Sequence, residues 1–165
     1  MRMRLIAATC LTATLGAATL SADQIVMDRK VLTLAAARTI AAAAEAAAKA
    51  RGVGVVVVVV DNAGHVIVVT RMDTAQVASV NVGIGKARTA AIYRRPSRVF
   101  EEQIANGRIA ALALADATPL QGGLPILIDG QVVGAVGVSG DTPQVDEEIA
   151  MAGVAAVSRQ PAAGK

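Results

Sequence analysis

The sequence predicts an α/β (α+β) domain: a mainly antiparallel five-stranded sheet flanked by helices, in the order αββααβββα. Three observations carry this: an alanine-rich stretch with helix start and stop signals, a nearly unbroken valine run, and an Asp-Gly pair between two apolar runs. The length of 165 residues is that of one domain. Hydrophobic residues make up 54% and charged residues 18%, which excludes a disordered chain. Aromatics are 1%, Tyr93 and Phe100 with no Trp, so the core falls to Ala, Val, Leu and Ile. Base stacking, and with it single-strand nucleic-acid binding, is disfavoured.

The chain opens with a basic start, Met1 to Arg4, followed by an uncharged run from Leu5 to Ala22 diluted by threonines. This pattern reads as a secretory signal peptide over residues 1–22, with one domain over 23–165 ending in a polar tail from Ser158. Leu20 is larger than the residue a cleavage site after Ala22 favours, and a membrane anchor or a lipid-modified Cys10 are the alternatives. Arg2 and Arg4 are two of the sixteen basic residues, so their loss leaves fourteen against thirteen acids and a near-neutral mature chain. The sequence pI of about 9.5 therefore implies no nucleic-acid partner, and no membrane contact is expected once the signal is gone. Cys10, the single cysteine, would leave with the signal, which suits a periplasmic or secreted location and excludes disulfides and thiolate sites.

Leu34 to Arg51 reads as the first helix, with Thr33 as N-cap, Lys49 and Arg51 in the last turn and Gly52 beyond. Val53 to Val60 is β-branched throughout and reads as a central strand covered on both faces. Asp61 to Gly64 is a turn, and His65 to Thr70 completes a hairpin. From Thr74 to Tyr93, Val77, Val80, Ile84, Ala87 and Ala91 recur at helical spacing, with Asp73 or Thr74 as cap. Gly83 and Gly85 interrupt that helix and mark a close approach of another backbone or a ligand. Pro96 opens a further helix to Ala105, and Arg108 to Ala115 is a candidate strand. Leu124 to Ile128 and Gln131 to Val138 flank Asp129-Gly130, the signature of a type I′ hairpin. Thr142 caps a last helix that begins at Pro143 and reaches Val157.

Chemistry is weakly specified by the residues themselves. One histidine, His65, and no G-x-S-x-G elbow exclude a serine triad, and the lack of a mature cysteine excludes a zinc site of the usual kind. His65 follows a turn glycine at a strand start, either as a solvent-facing residue or as a ligand or base. Glu101-Glu102 and Asp146-Glu147-Glu148 read as solvated faces that could hold a hard cation weakly. Lys86, Arg88, Arg94 and Arg95 form a basic patch that either covers a helix connection or anchors carboxylates, for which a guanidinium fork is suited. Gly137 to Gly140 leads from a strand to a capped helix, where free N–H groups could meet an anion.

Four stretches together resemble one family. They are LTLAAARTIAAAAEAAA from Leu32, VVVVVDNAGHVIVVTRMD ending at Asp73, KARTAAIYRRPSRVFE from Lys86 and TPLQGGLPILIDGQVVGAVGVSGD from Thr118. They are similar to the haem-binding GlcG/HbpS-like group, which includes the C-terminal domain of PduO-type proteins. The resemblance implies a profilin-like antiparallel sheet with flanking helices, homo-oligomers that are commonly octamers, and haem bound in some members near subunit contacts. It aligns His65 with the family's frequent histidine after the Gly turn, and Lys86 with its usual lysine. Arg94-Arg95-Pro96-Ser97 matches the family's Arg-Arg-Pro-Thr with serine in place of threonine. Threonine supplies the axial contact to haem iron in one member and histidine in another, so Ser97 and His65 are both implied as candidates. Asn81 stands where relatives often carry aspartate, and the Gly83/Gly85 pair is a further departure.

The leading expectation is an exported haem- or tetrapyrrole-binding protein: an apolar groove takes the macrocycle, Arg94, Arg95 or Lys86 pairs with propionates, and His65 or Ser97 approaches the iron. Slow haem degradation by peroxide is compatible with that arrangement. Two alternatives are an accessory factor or enzyme of small hydroxy-acid or aldehyde metabolism, with His65 as proton carrier, and a structural or regulatory oligomer with another ligand.

Overall fold

The computed structural model describes residues 25–158. The expected signal segment 1–22 with Cys10, and the polar tail beyond Ser158, lie outside these residues. Among the described residues no helix is long and apolar enough to cross a membrane.

The first helix, α1, spans Leu34–Arg51 as its signals require: Thr33 Oγ1 accepts from Ala36 N, and Gly52 at φ 68° donates to the last-turn carbonyls of Ala48 and Lys49. Strand β1 (Val56–Asp61) turns into β2 (Val66–Arg71), and the pair is antiparallel. Helix α2 covers Ser79–Tyr93, starting five residues later than the spacing suggested. Ala75 N and Ser79 N donate to Met72 O and Gln76 O in consecutive turns, so neither Asp73 nor Thr74 caps the helix.

Helix α3 (Arg98–Ala105) follows a corner in which Arg94 adopts φ 56°. The stretch expected as a fifth strand is instead a 3₁₀ turn, Ile109–Ala113. Its amides find carbonyls three residues back, Ala111 N on Arg108 O and Leu114 N on Ala111 O, so it has no ladder to join. Strands β3 (Gly123–Ile128) and β4 (Gln131–Ser139) form the expected hairpin, with Asp129 at φ 49° and Gly130 at φ 75° supplying the positive pair of a type I′ turn. Helix α4 runs from Pro143 to Ser158, and Thr142 Oγ1 accepts from Val145 N at 3.4 Å.

The sheet therefore has four strands, all antiparallel, in the order β2-β1-β4-β3. Val55 to Val60 are wholly buried because β1 lies at the centre with both faces covered. Val55, Val57 and Val59 face the alanines of α1 and Ile149 and Ala150 of α4. Val56, Val58 and Val60 face Ala87, Ala90 and Ala91 of α2. Small residues let α2 lie close to its neighbours: a Cβ on Gly137 would sit 2.5 Å from Ala87 N, one on Gly83 would sit 3.2 Å from Val58 Cγ2 of the sheet, and one on Gly85 would sit 2.8 Å from Thr118 Cβ in the loop before β3. The close approaches expected at Gly83 and Gly85 are thus made by the chain itself.

Candidate functional site

One end of the sheet gathers four elements. The β1–β2 turn packs on α2, where Arg88 Nε donates to Gly64 O at 3.5 Å and a Cβ on Gly64 would crowd Arg88 and Ile92. The α2–α3 corner brings Arg94, the tip of the β3–β4 hairpin brings Gly130, and the extended segment before α1 crosses that hairpin. Between them lies a cavity of about 460 Å³, within the roughly 300–1,000 Å³ common for small-molecule sites. Leu127, Val132 and Met27 give it apolar surface, Arg94 and Arg29 give it positive charge beside the acid Asp28, Lys30 is paired with Asp129, and Asn62 comes from the β1–β2 turn.

His65 stands on that same turn with its side chain 78% exposed. Asp61 Oδ1 accepts from Ala63 N at 2.9 Å and His65 N at 2.8 Å, while Oδ2 lies 3.4 Å from His65 Nδ1. Partial burial pushes the Asp61 carboxyl up, but the two backbone N–H donors and the neighbouring imidazole outweigh it and hold the group below its ordinary value. The carboxylate thus faces one ring nitrogen of His65, whose side chain is not among those lining the cavity.

The other candidates sit differently. Ser97 is fully buried: its hydroxyl donates to Leu120 O at 2.5 Å and accepts from Gly123 N at 2.8 Å. It fixes the loop entering β3 and does not face the cavity that Arg94 lines. Lys86 is also inside, donating to Asp146 Oδ2 at 2.7 Å and to Val138 O at 3.1 Å. Its ammonium is committed to that pair, remote from a carboxylate in solvent. Arg95 Nε donates to Tyr93 O at 3.2 Å, and its guanidinium lies 5.8 Å from the Phe100 ring centre, so it closes the end of α2 as a helix connection requires. Arg94 is the member of the basic patch that lines the cavity.

Two sequence expectations need correction. The acidic run on α4 is not a solvated face: Asp146 and Glu147 are buried and Glu148 alone is exposed. Burial raises the Asp146 carboxyl, against the lowering influence of Lys86; burial also raises Glu147, opposed by Arg98, whose Nε lies 3.1 Å away. Among the described residues no group of three or more His, Cys, Asp or Glu is placed to hold a metal ion. The Gly137–Gly140 stretch is filled rather than open, with Gly137 against Gly83 and Ala87, and Gly140 against Gly54 and Val55. Asp146 was missed as a partner, although a lysine among alanines and glycines on one helix face is a signal that some buried acid must meet it.

Comparison with known proteins agrees with this architecture. GlcG of Escherichia coli strain K12 is 42% identical over 83 residues, half of this chain and 62% of GlcG's own length. Among solved structures, Klebsiella pneumoniae protein ORFY superposes with a TM-score of 0.77 at 33% identity, over 82% of this chain and 97% of that one. The PduOC structure solved as a complex with haem superposes with a TM-score of 0.71 at 26% identity, over 78% and 96% respectively. A family model described as haem degrading protein HbpS-like matches residues 32–155, and on that match the chain belongs to the HbpS-like family.

Proposed function

We propose that the protein binds haem at the end of the sheet where Arg94 and the β1–β2 turn meet. The observation that carries the reading is the cavity itself. Its apolar wall of Leu127, Val132 and Met27 suits a flat hydrophobic macrocycle, and Arg94 beside it suits a propionate. The lining thus fits the macrocycle and one propionate, and no histidine is among the lining residues. The family description and the haem complex of the similar PduOC chain support the same ligand. Haem, when bound, supplies the iron and its redox chemistry.

In this proposal Arg94 pairs with a carboxylate and Arg95 steadies the corner that carries Arg94. His65, on the turn that brings Asn62 to the cavity, would be the residue that holds the metal, with Asp61 beside its Nδ1. Ser97 and Lys86 act as positioning residues, because their polar atoms are already bonded inside the fold. Export to a periplasmic or external location, from the basic and apolar start at residues 1–22, and assembly into a homo-oligomer belong to the same proposal. Exposed Val66 and Val69 on the edge strand β2 are consistent with assembly.

The test is a haemin titration followed in the Soret region. Wild-type protein should give a saturable band at a fixed ratio per subunit. His65→Ala should shift or weaken the band, and Arg94→Ala with Arg95→Ala should weaken binding about tenfold, the worth of a charged hydrogen bond. Ser97→Ala should lower the melting temperature and leave the band position unchanged. Absence of a saturable band in the wild type would overturn the proposal.

A further inference from the structure

Among the described residues, those other than glycine with a positive φ are Asp116 at 55°, Asp129 at 49° and Arg94 at 56°. Aspartate tolerates the left-handed region because its short side chain bonds to nearby backbone. Arginine has no such compensation, and glycine is the usual occupant just after a helix. Arg94 therefore carries a backbone cost that glycine would avoid at the same place. The chain on both sides holds it there. Tyr93, the last residue of α2, donates its hydroxyl to Ala115 O at 2.7 Å, and its ring meets Phe100 edge-on with centroids 5.1 Å apart. Pro96 keeps Arg95 out of the helical region, so α2 cannot run on. Beyond it Ser97 N donates to Gly123 O at 2.9 Å, and Phe100 is buried. Both flanks are thus pinned, and a strained residue persists where its surroundings over-determine it.

What the strain delivers is a cation at a fixed place. Arg94 lines the cavity from this pinned corner. The other cations of the lining are less available: Lys30 is paired with Asp129, and Arg29 stands beside Asp28 on a segment without secondary structure. Both aromatic rings of the whole chain, Tyr93 and Phe100, are spent on the same corner. We infer that the left-handed turn at Arg94 is retained for binding: it presents Arg94 to an anionic group of the ligand, and Tyr93 and Phe100 are the positioning residues that hold it there. This inference rests on the proposed haem site, with a propionate as the anionic group. It gives Arg94 a backbone conformation kept at the expense of stability, as strained residues at ligand sites are.

The experiment pairs thermal melts with a haemin titration of the full-length protein. Arg94→Gly and Arg94→Ala remove the same guanidinium and differ in Cβ alone. The glycine variant should therefore melt about two to six degrees above the alanine variant, and above the wild type. Both should bind haemin about tenfold more weakly than the wild type, so that stability and binding move in opposite directions in Arg94→Gly. Tyr93→Phe removes the bond to Ala115 O and keeps the ring. It should weaken haemin binding about two- to fivefold where Arg94 is present and leave it unchanged in the Arg94→Ala background. A residue that merely supported the fold would weaken both backgrounds alike, and that result would overturn the positioning role. If Arg94→Gly melts no higher than Arg94→Ala, or binds haemin as the wild type does, the inference is overturned and the haem site stands. Absence of a saturable band in the wild type would overturn both.

Discussion

At the scale of single residues, the pair Lys86 and Asp146 decides more stability than any surface charge. Both side chains are nearly inaccessible, so either charge left alone inside costs about 3–5 kcal/mol. Lys86→Met is therefore expected to lower the melting temperature by roughly ten to twenty degrees in a domain of this size. The pH dependence of that variant follows from the acid it strands. Burial already raises Asp146, and loss of the ammonium removes the influence that lowers it. The folded variant then binds a proton that the unfolded chain has released, so stability should fall as pH rises from the ordinary carboxylate range toward neutral. Combining Lys86→Met with Asp146→Asn should recover most of the loss, since Asn keeps an acceptor for Asp141 N. Thermal melts at pH 4 and pH 7 read both outcomes, and equal losses at the two pH values would refute the stranded-acid account. Lys86 was legible as a basic residue, but its partner lies sixty positions away and is invisible to spacing along one helix.

Among the elements, those with a local signal were legible and the one defined by its neighbours was not. Thr33, Gly52 and the Asp129-Gly130 pair each enforce a boundary through their own backbone or side chain. The stretch from Arg108 to Ala115 carries no such signal, and whether apolar residues extend or coil depends on whether a strand edge is there to receive them. The late start of α2 has the same origin, because turns at Met72 and Gln76 use the amides first. Packing of α2 on β4 makes a sharp contrast between two glycines. Gly137→Ala would place a methyl group 2.5 Å from Ala87 N, backbone that cannot yield, and should cost about 3 kcal/mol or more. Gly83→Ala meets Val58 Cγ2 at 3.2 Å, a milder contact offset by the better helix propensity of alanine, and should change stability by less than about 1 kcal/mol. Urea unfolding of the two variants checks the order, and a reversal would mean that α2 moves freely on the sheet.

For the whole molecule, the valine run was the most informative feature of the sequence, since a strand apolar at every position demands cover on both faces. The candidate site was legible only in fragments. His65 and Arg94 stand out as chemistry-bearing residues, but the segment that walls the cavity, residues 27–30, has neither periodicity nor motif. Its place depends on the hairpin it crosses. Sequence similarity could point to Ser97 and Lys86 as readily as to Arg94, and burial distinguishes them.

The central position of β1 gives the protein an internal gauge of its own unfolding. Each peptide group from Val56 to Val60 lies between two paired strands and beneath two helical layers, so deuterium from solvent reaches these amides only when the sheet comes apart. Their exchange rate therefore reports the global free energy, while amides of residues 26–31 exchange by local opening. A ligand that binds the folded chain must slow the β1 amides by the factor 1 + [L]/Kd, whatever residues it touches. Haemin at one hundred times its Kd should slow them about a hundredfold. Unchanged exchange at that concentration would show that the colour of the mixture comes from haemin bound equally well by unfolded chains.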